Sequence, residues 1–266
     1  MTANGGLTLR DTDFIPGVPE RLAFYGGILS LVADLYTHYP PDELPSLSLV
    51  AGGMGAGKSG ALITVHEHLI RNGLSSQCFR PRLSDRDEGP NIRTRADLAQ
   101  TELQAHMYDE PEEILAQLSP GTDFIMVDEV QMHTPEQAPR YGGIVRALNS
   151  AGVPVIQSGL LLNFGGQPFH IVNVLDELEM QLLILRGKCR RCNGHGLYSM
   201  ALVDGQPKSY DGNEIATGDV DAGGKGEVEY VPTCPEHFKR GKRTSDFNRH
   251  TLGEIVTPEL PVWLRK

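Results

Sequence analysis

The chain has 266 residues, 39% of them hydrophobic and 22% charged, with a formal net charge of −10. The length suits one large domain or a core domain with appendages, and the acidic balance excludes a sequence-independent nucleic-acid binder, which needs a basic face. No apolar run reaches the roughly 20 residues of a membrane-spanning helix, and the N-terminus lacks the basic-then-apolar pattern of a secretory signal. A cytoplasmic protein with neither membrane nor nucleic-acid partner is expected, in a cell or in the host cytoplasm of a virus.

Residues 1–46 read as an extension. It begins as a loose arm, followed by an amphipathic helix from Pro19 to Tyr36, with Leu22, Tyr25, Leu29, Val32 and Tyr36 at three- and four-residue spacing. The apolar run Leu47-Ser48-Leu49-Val50 predicts a strand. It leads into Gly52-Gly53-Met54-Gly55-Ala56-Gly57-Lys58-Ser59, which fits Gly-x-x-x-x-Gly-Lys-[Ser/Thr]. A helical stripe, Ala61, Leu62, Val65 and Leu69, follows and stops at Asn72-Gly73. Strand, loop and helix are the context in which this motif cradles phosphates. The glycines let successive N–H groups face phosphate oxygens, the helix dipole adds positive potential, Lys58 reaches the β- and γ-phosphates, and the Ser59 hydroxyl can ligate Mg²⁺. An ordinary Gly-rich turn would explain the glycines but not Lys-Ser in that register. A nucleoside triphosphate ligand is therefore expected.

Ser76–Arg80 reads as a second strand, with Cys78 a buried small residue, and Arg82–Arg95 as a polar loop. Glu110–Leu118 is a short helix candidate. Asp123-Phe124-Ile125-Met126-Val127 is an apolar strand ending in Asp128-Glu129. At the carboxyl end of a parallel sheet, Asp128 becomes a candidate Mg²⁺ partner acting through water or through another ligand of the ion, and Glu129 a candidate general base. Pro135–Asn149 predicts a helix, Pro154–Ser158 a strand, Gly159–Phe169 a ligand-side loop and Met180–Leu185 a last strand. Strands alternating with helices imply a parallel sheet covered on both faces.

The remainder changes character. Cys189, Cys192, Cys234 and His237 form Cys-x₂-Cys…Cys-x₂-His, the pair spacing of a tetrahedral structural zinc site. In a cytosolic chain metal explains these thiols better than disulfides. Such a clasp would hold the ends of a long loop, about Asn193 to Thr233, that otherwise has no reason to be ordered.

Taken together these residues resemble the zinc-containing (type II) thymidine kinases, from about Leu47 to Phe238. The phosphate loop resembles the family's Gly-Pro-Met-Phe-Ser-Gly-Lys-[Ser/Thr]. Phe79-Arg80-Pro81 with Asp85-Arg86 is similar to its second strand and Asp-x-Arg loop, and Asp128-Glu129-Val130-Gln131 to its Asp-Glu-[Ala/Gly/Val]-Gln. Phe164-Gly165-Gly166-Gln167-Pro168-Phe169 resembles its substrate loop, Tyr198-Ser199 its Tyr-Thr, and Tyr230 its lasso tyrosine.

The resemblance implies an α/β fold. Its core, residues 47–187, would be a parallel-sheet P-loop NTPase of RecA-like type, followed by a small zinc-binding lasso domain, 188–250, and a tail, 251–266. It implies a nucleoside 5′-kinase using ATP with Mg²⁺, with Zn²⁺ as a structural ion and thymidine or deoxyuridine as acceptor. Glu129, Lys58 and Arg86 would serve catalysis. Gly52 to Ser59, Asp128 and Gln131 would hold ATP and Mg²⁺. Met54, Phe164, Phe169, Ser199 and Tyr230 would line the nucleoside site, and a homotetramer is implied. The chain departs from the family pattern at Gly53, Gly55, Ser84, Asp87, Leu161, Met200 and Ala201, mostly on the acceptor side. A modified pyrimidine nucleoside as substrate, or a non-catalytic nucleotide-binding regulatory role, are the alternatives those departures leave open.

Overall fold

A computed structural model describes residues 47–84, 89–93, 102–178, 180–192, 194–210, 212, 214 and 228–239. The expected helix over Pro19–Tyr36, the Asp85-Arg86 pair and the tail 251–266 lie outside the described residues.

Six parallel strands form the central sheet: β1 (Leu47–Gly52), β2 (Ser76–Pro81), β5 (His106–Tyr108), β6 (Phe124–Val127), β7 (Val155–Gly159) and β8 (Gln181–Leu185). Their spatial order is β5-β2-β6-β7-β1-β8, so β7 separates the phosphate-loop strand β1 from β6, which leads into Asp128. Two-residue strands β3 (Ile92–Arg93) and β4 (Glu102–Leu103) pair separately.

Strand periodicity explains the layering. Alternate side chains point to opposite faces, and the central strands are apolar at both parities because both faces are covered. Leu49, Ala51, Phe79, Ile125, Val127 and Val155 pack in one core cluster, with Tyr141, Ile144 and Leu148 of α3 (Gln137–Ser150) and Ile171, Val174 and Leu175 of α4 (His170–Asp176). Their neighbours Val50, Cys78, Phe124, Met126 and Ile156 pack in a second cluster, with Leu62, Val65 and Leu69 of α1 (Lys58–Arg71). Leu62 and Ile125 are both fully buried; burial of such a side chain contributes about 1.5–3 kcal/mol.

Several core elements differ from the sequence expectation, among them the short β3 and β4 and the unpredicted helix α4. The helix α2 is confined to Glu113–Gln117, and the edge strand β5 was not predicted. Three residues are too few to display alternation, and tertiary pairing to β2 decides their state.

The 188–250 region holds more regular structure than the long loop expected. After the β9 (Gly187–Lys188) and β10 (His195–Gly196) pair comes an antiparallel sheet in the order β12-β11-β13. Its strands are β11 (Tyr198–Val203), β12 (Gln206–Pro207) and β13 (Val228–Thr233), and β11 and β13 pair over six residues. Its two faces do different work. Met200 and Leu202 pack with Val231 and Phe238 on one side, while Ala201 and its cross-strand partner Tyr230 pack toward Phe164 on the other.

Candidate active site

The phosphate loop connects the end of β1 to α1. Gly57 caps the helix at φ 91°, in the left-handed region that a side chain rarely adopts. The loop closes on itself through Ala56 N–H donating to Gly53 O at 3.2 Å, and the Lys58 ammonium, nearly buried, donates to the same carbonyl at 3.1 Å. Gly53 is also where the loop meets the lasso: a Cβ there would stand 2.7 Å from Gly196 O. That contact gives a steric reason for glycine at a position where the family pattern has proline.

The Mg²⁺ candidates sit together. Ser59 Oγ donates to Asp128 Oδ2 at 3.1 Å, and Ser158 Oγ donates to Asp128 Oδ1. Burial, with the neighbouring Glu129 carboxylate, pushes Asp128 up to about 6, against the opposing pull of Ser158, Ser59 and Lys58. Glu129 follows with φ 57° and ψ 42°, a left-handed conformation uncommon for a residue with a side chain. Such a conformation costs of order 1–3 kcal/mol and persists where surrounding contacts enforce it. Those contacts are present: Glu129 N–H donates to Asp128 Oδ1 at 3.0 Å, and Gln131 Nε2 donates to Glu129 Oε2. The Gln131 Oε1 then accepts the Leu160 N–H at 2.9 Å. The amide of Gln131 therefore couples the carboxylate to the start of the 160–169 loop; among the described contacts it does not reach the phosphate loop.

Opposite stands the lasso. Ser199 Oγ accepts the Met54 N–H at 3.1 Å, bringing β11 onto the phosphate loop. Phe164 is 4% exposed, edge-on to Tyr210 with centroids 5.2 Å apart, and the Lys208 ammonium lies 5.7 Å from its ring centre. Tyr230 is partly buried in the same cluster. Phe169 lies deeper, in the core that packs against α3 and α4. Met54, Ser199, Phe164 and Tyr230 thus lie along the lasso face of the site, whereas Phe169 supports the loop from below.

The metal candidates converge. The ligand atoms of Cys189, Cys192, Cys234 and His237 all lie within 4.8 Å of one another. The Cys192–Cys234 sulfur separation is 3.7 Å, and His237 Nδ1 lies 3.2 Å from Cys234 Sγ and 3.8 Å from Cys189 Sγ. Tetrahedral zinc with bonds of about 2.3 Å to sulfur and about 2.0 Å to nitrogen needs ligand separations of about 3.5–3.8 Å. The donors fit a zinc ion in type and spacing. His237 N–H donates to Cys234 O at 3.1 Å, Gly194 N–H to Cys192 Sγ at 3.3 Å, and Arg190 N–H to Pro232 O at 3.0 Å, so the backbone already forms the clasp.

Sequence reading missed Ser158, Asn163 and Tyr210. Ser158 shares the run Val155–Ser158 with a second polar residue, Gln157, so nothing local singled it out. Tyr210 had no local signal either.

A parallel sheet with a phosphate loop at β1, Asp128 and Glu129 at the end of β6, and a Cys/His clasp beyond β8 defines a nucleotide-binding phosphotransferase core with an appendage whose Cys/His cluster could hold a metal ion. A model of the thymidine kinase family matches residues 45–238. This chain belongs to the thymidine kinase family and is a thymidine kinase-like phosphotransferase acting as a nucleoside kinase. It is 28% identical over 211 residues to the thymidine kinase of Deinococcus radiodurans, covering 74% of this chain and 92% of that one. Among solved structures, domain III of the Thermotoga maritima replication initiation protein DnaA aligns with 64% of this chain and 63% of its own, at 13% identity and a TM-score of 0.37. That likeness is too slight to argue from. No helix among the described residues is long and apolar enough to cross a membrane.

Proposed function

We propose that the protein transfers the γ-phosphoryl group of ATP to the 5′-hydroxyl of thymidine or deoxyuridine, giving the 5′-monophosphate and ADP. The observation that carries this reading is the position of Glu129. Its carboxylate is held by Gln131, follows the Ser59–Asp128 pair directly, and lies on the edge where the 160–169 loop begins.

In this reading the loop amides from Gly53 to Ser59 and the Lys58 ammonium bind the triphosphate, with Lys58 exchanging its bond to Gly53 O for phosphate oxygens. Ser59 and Asp128 would hold Mg²⁺, which when bound neutralises charge on the β- and γ-phosphates. Glu129 accepts the proton of the 5′-hydroxyl as the new O5′–Pγ bond forms and the bond from Pγ to the bridging oxygen breaks, leaving ADP. Arg86, outside the described residues, would add positive charge to the transferring group. Met54, Phe164, Ser199 and Tyr230 would bound the base, with Phe169 backing the loop. Zinc in the clasp is structural, because all four ligand positions come from the protein. The active form is a cytoplasmic homotetramer.

The test is purified protein with ATP, Mg²⁺ and a panel of deoxynucleosides, with products separated by chromatography. Thymidine or deoxyuridine should give 5′-monophosphate in step with ADP. ATP hydrolysis without a nucleotide product, or turnover only of a purine nucleoside, would overturn the proposal.

A further inference from the structure

The acceptor loop is built around one side chain. Asn163 Oδ1 accepts the N–H groups of Gly165 and Gln167 at 2.9 and 3.1 Å, while Asn163 N–H donates to Gln167 O at 2.8 Å. A bridge between Leu162 and Pro168 closes the turn. The remaining arm of that amide, Asn163 Nδ2, donates to the hydroxyl of Tyr210 at 3.1 Å. Asn163 is 2% exposed and Tyr210 7%, so this bond is sheltered from water.

Tyr210 comes from the lasso. The β11–β12 pairing is extended by Lys208 N–H donating to Ala201 O at 2.8 Å, which carries the chain over the loop. The Tyr210 ring then lies directly on the Gly165 backbone: a Cβ at Gly165 would fall 2.7 Å from two ring atoms. On its other side the ring meets Phe164 edge-on, at 71° between planes. Such a pair prefers defined orientations, so Tyr210 fixes the rotation of the Phe164 ring as well as the height of the loop. Four residues on, Glu214 Oε1 accepts the His170 N–H at 2.8 Å and lies 2.6 Å from His170 Nδ1. The lasso is thus tied at both ends of the acceptor loop.

We propose that Tyr210 is a positioning residue for the acceptor nucleoside. Through Asn163 and Phe164 it sets the loop that receives the base, and it takes no part in phosphoryl transfer. This rests on reading the 160–169 loop as the acceptor side. It separates Tyr210 from Glu129 and Lys58, which lie on the reacting side.

Steady-state kinetics of Tyr210→Ala and Tyr210→Phe, with zinc content and melting temperature measured alongside, tests it. Tyr210→Ala should raise KM for the nucleoside about tenfold, the order expected for losing one well-placed buried contact. Its kcat, and KM for ATP, should stay within about twofold, as fits a residue that acts on acceptor binding alone. Tyr210→Phe, which keeps the ring on Gly165 and Phe164 but removes the acceptor of Asn163 Nδ2, should recover part of the loss and fall between wild type and Tyr210→Ala. If Tyr210→Ala does not fold, Tyr210→Leu keeps an apolar contact on Gly165 without the ring edge or hydroxyl and should show the same split. Parallel losses in kcat and in KM for ATP, an unchanged nucleoside KM, or a Tyr210→Phe as impaired as Tyr210→Ala would each overturn the assignment. A wild-type protein that phosphorylates no nucleoside would sink the functional reading itself, a result distinct from any of these.

Discussion

Asp128 is buried, accepts hydrogen bonds from two serines, and stands beside a second carboxylate. Burial and Glu129 raise its proton affinity, so the folded state holds a proton up to about pH 6, where the unfolded chain has already lost it. Between the ordinary carboxylate range and about 6 the folded state binds more protons, and stability falls as pH rises. Above that window the charged carboxylate is a standing penalty on the metal-free protein. Replacing Asp128 with Asn should therefore raise the melting temperature of metal-free protein at pH 8 by a few degrees, with the gain shrinking toward pH 5, while kinase activity is lost. Calorimetry across that range would check it; a destabilised Asp128→Asn protein at pH 8 would contradict the charge argument. At this scale the donor residues were legible in sequence. Lys58, Ser59, Asp128 and Glu129 are recognised by local spacing after a strand, and spacing survives folding. Ser158 and Asn163 were not, because their partners lie 30 and 47 residues away, and only the fold brings them together.

The elements divide into those that periodicity announces and those that tertiary pairing creates. Strands β1, β2, β6 and β7 and helices α1 and α3 were readable because runs of buried side chains repeat at two or 3.6 residues. The sheet of β11, β12 and β13 was not, since its strands are separated by a polar, Gly-rich stretch and the Cys/His spacing drew attention to a clasp and a loop. The structure shows how clasp and sheet depend on each other. Cys189 and Cys192 precede β11, and Cys234 and His237 follow β13, so one ion would close the open end of the β11–β13 ladder. Metal binding of this kind contributes folding free energy locally. Removing zinc with a chelator, or Cys192→Ser, should expose the lasso to limited proteolysis while the central sheet stays protected. Affinity for an ATP analogue should stay within about threefold, as the phosphate loop belongs to a separate core. A protease-resistant lasso in metal-free protein would contradict the clasp.

The whole molecule joins two halves drawn from distant parts of the chain. In the proposed reaction the donor half would come from β1, α1 and the end of β6, and the acceptor half from the 160–169 loop and the lasso. Among the described residues, contacts that join them include Met54 to Ser199, Gln131 to Leu160, and the close approach of Gly53 to Gly196. Of the departures from the family pattern, Gly53 and Ala201 lie along this seam. Gly53 is accounted for by the Gly196 contact, and Met200 points away from the seam into the Leu202–Val231 cluster. Nothing in the structure explains Leu161. Glu129 stands where the halves meet, so its substitution tests the account most directly. In Glu129→Gln the carboxamide keeps the shape but cannot take the hydroxyl proton. It should lower kcat for nucleoside phosphorylation by about 10²-fold or more, with KM for ATP and for the nucleoside within about threefold of wild type. A Glu129→Gln enzyme with kcat intact would contradict the central claim that this carboxylate is the base acting between the two halves.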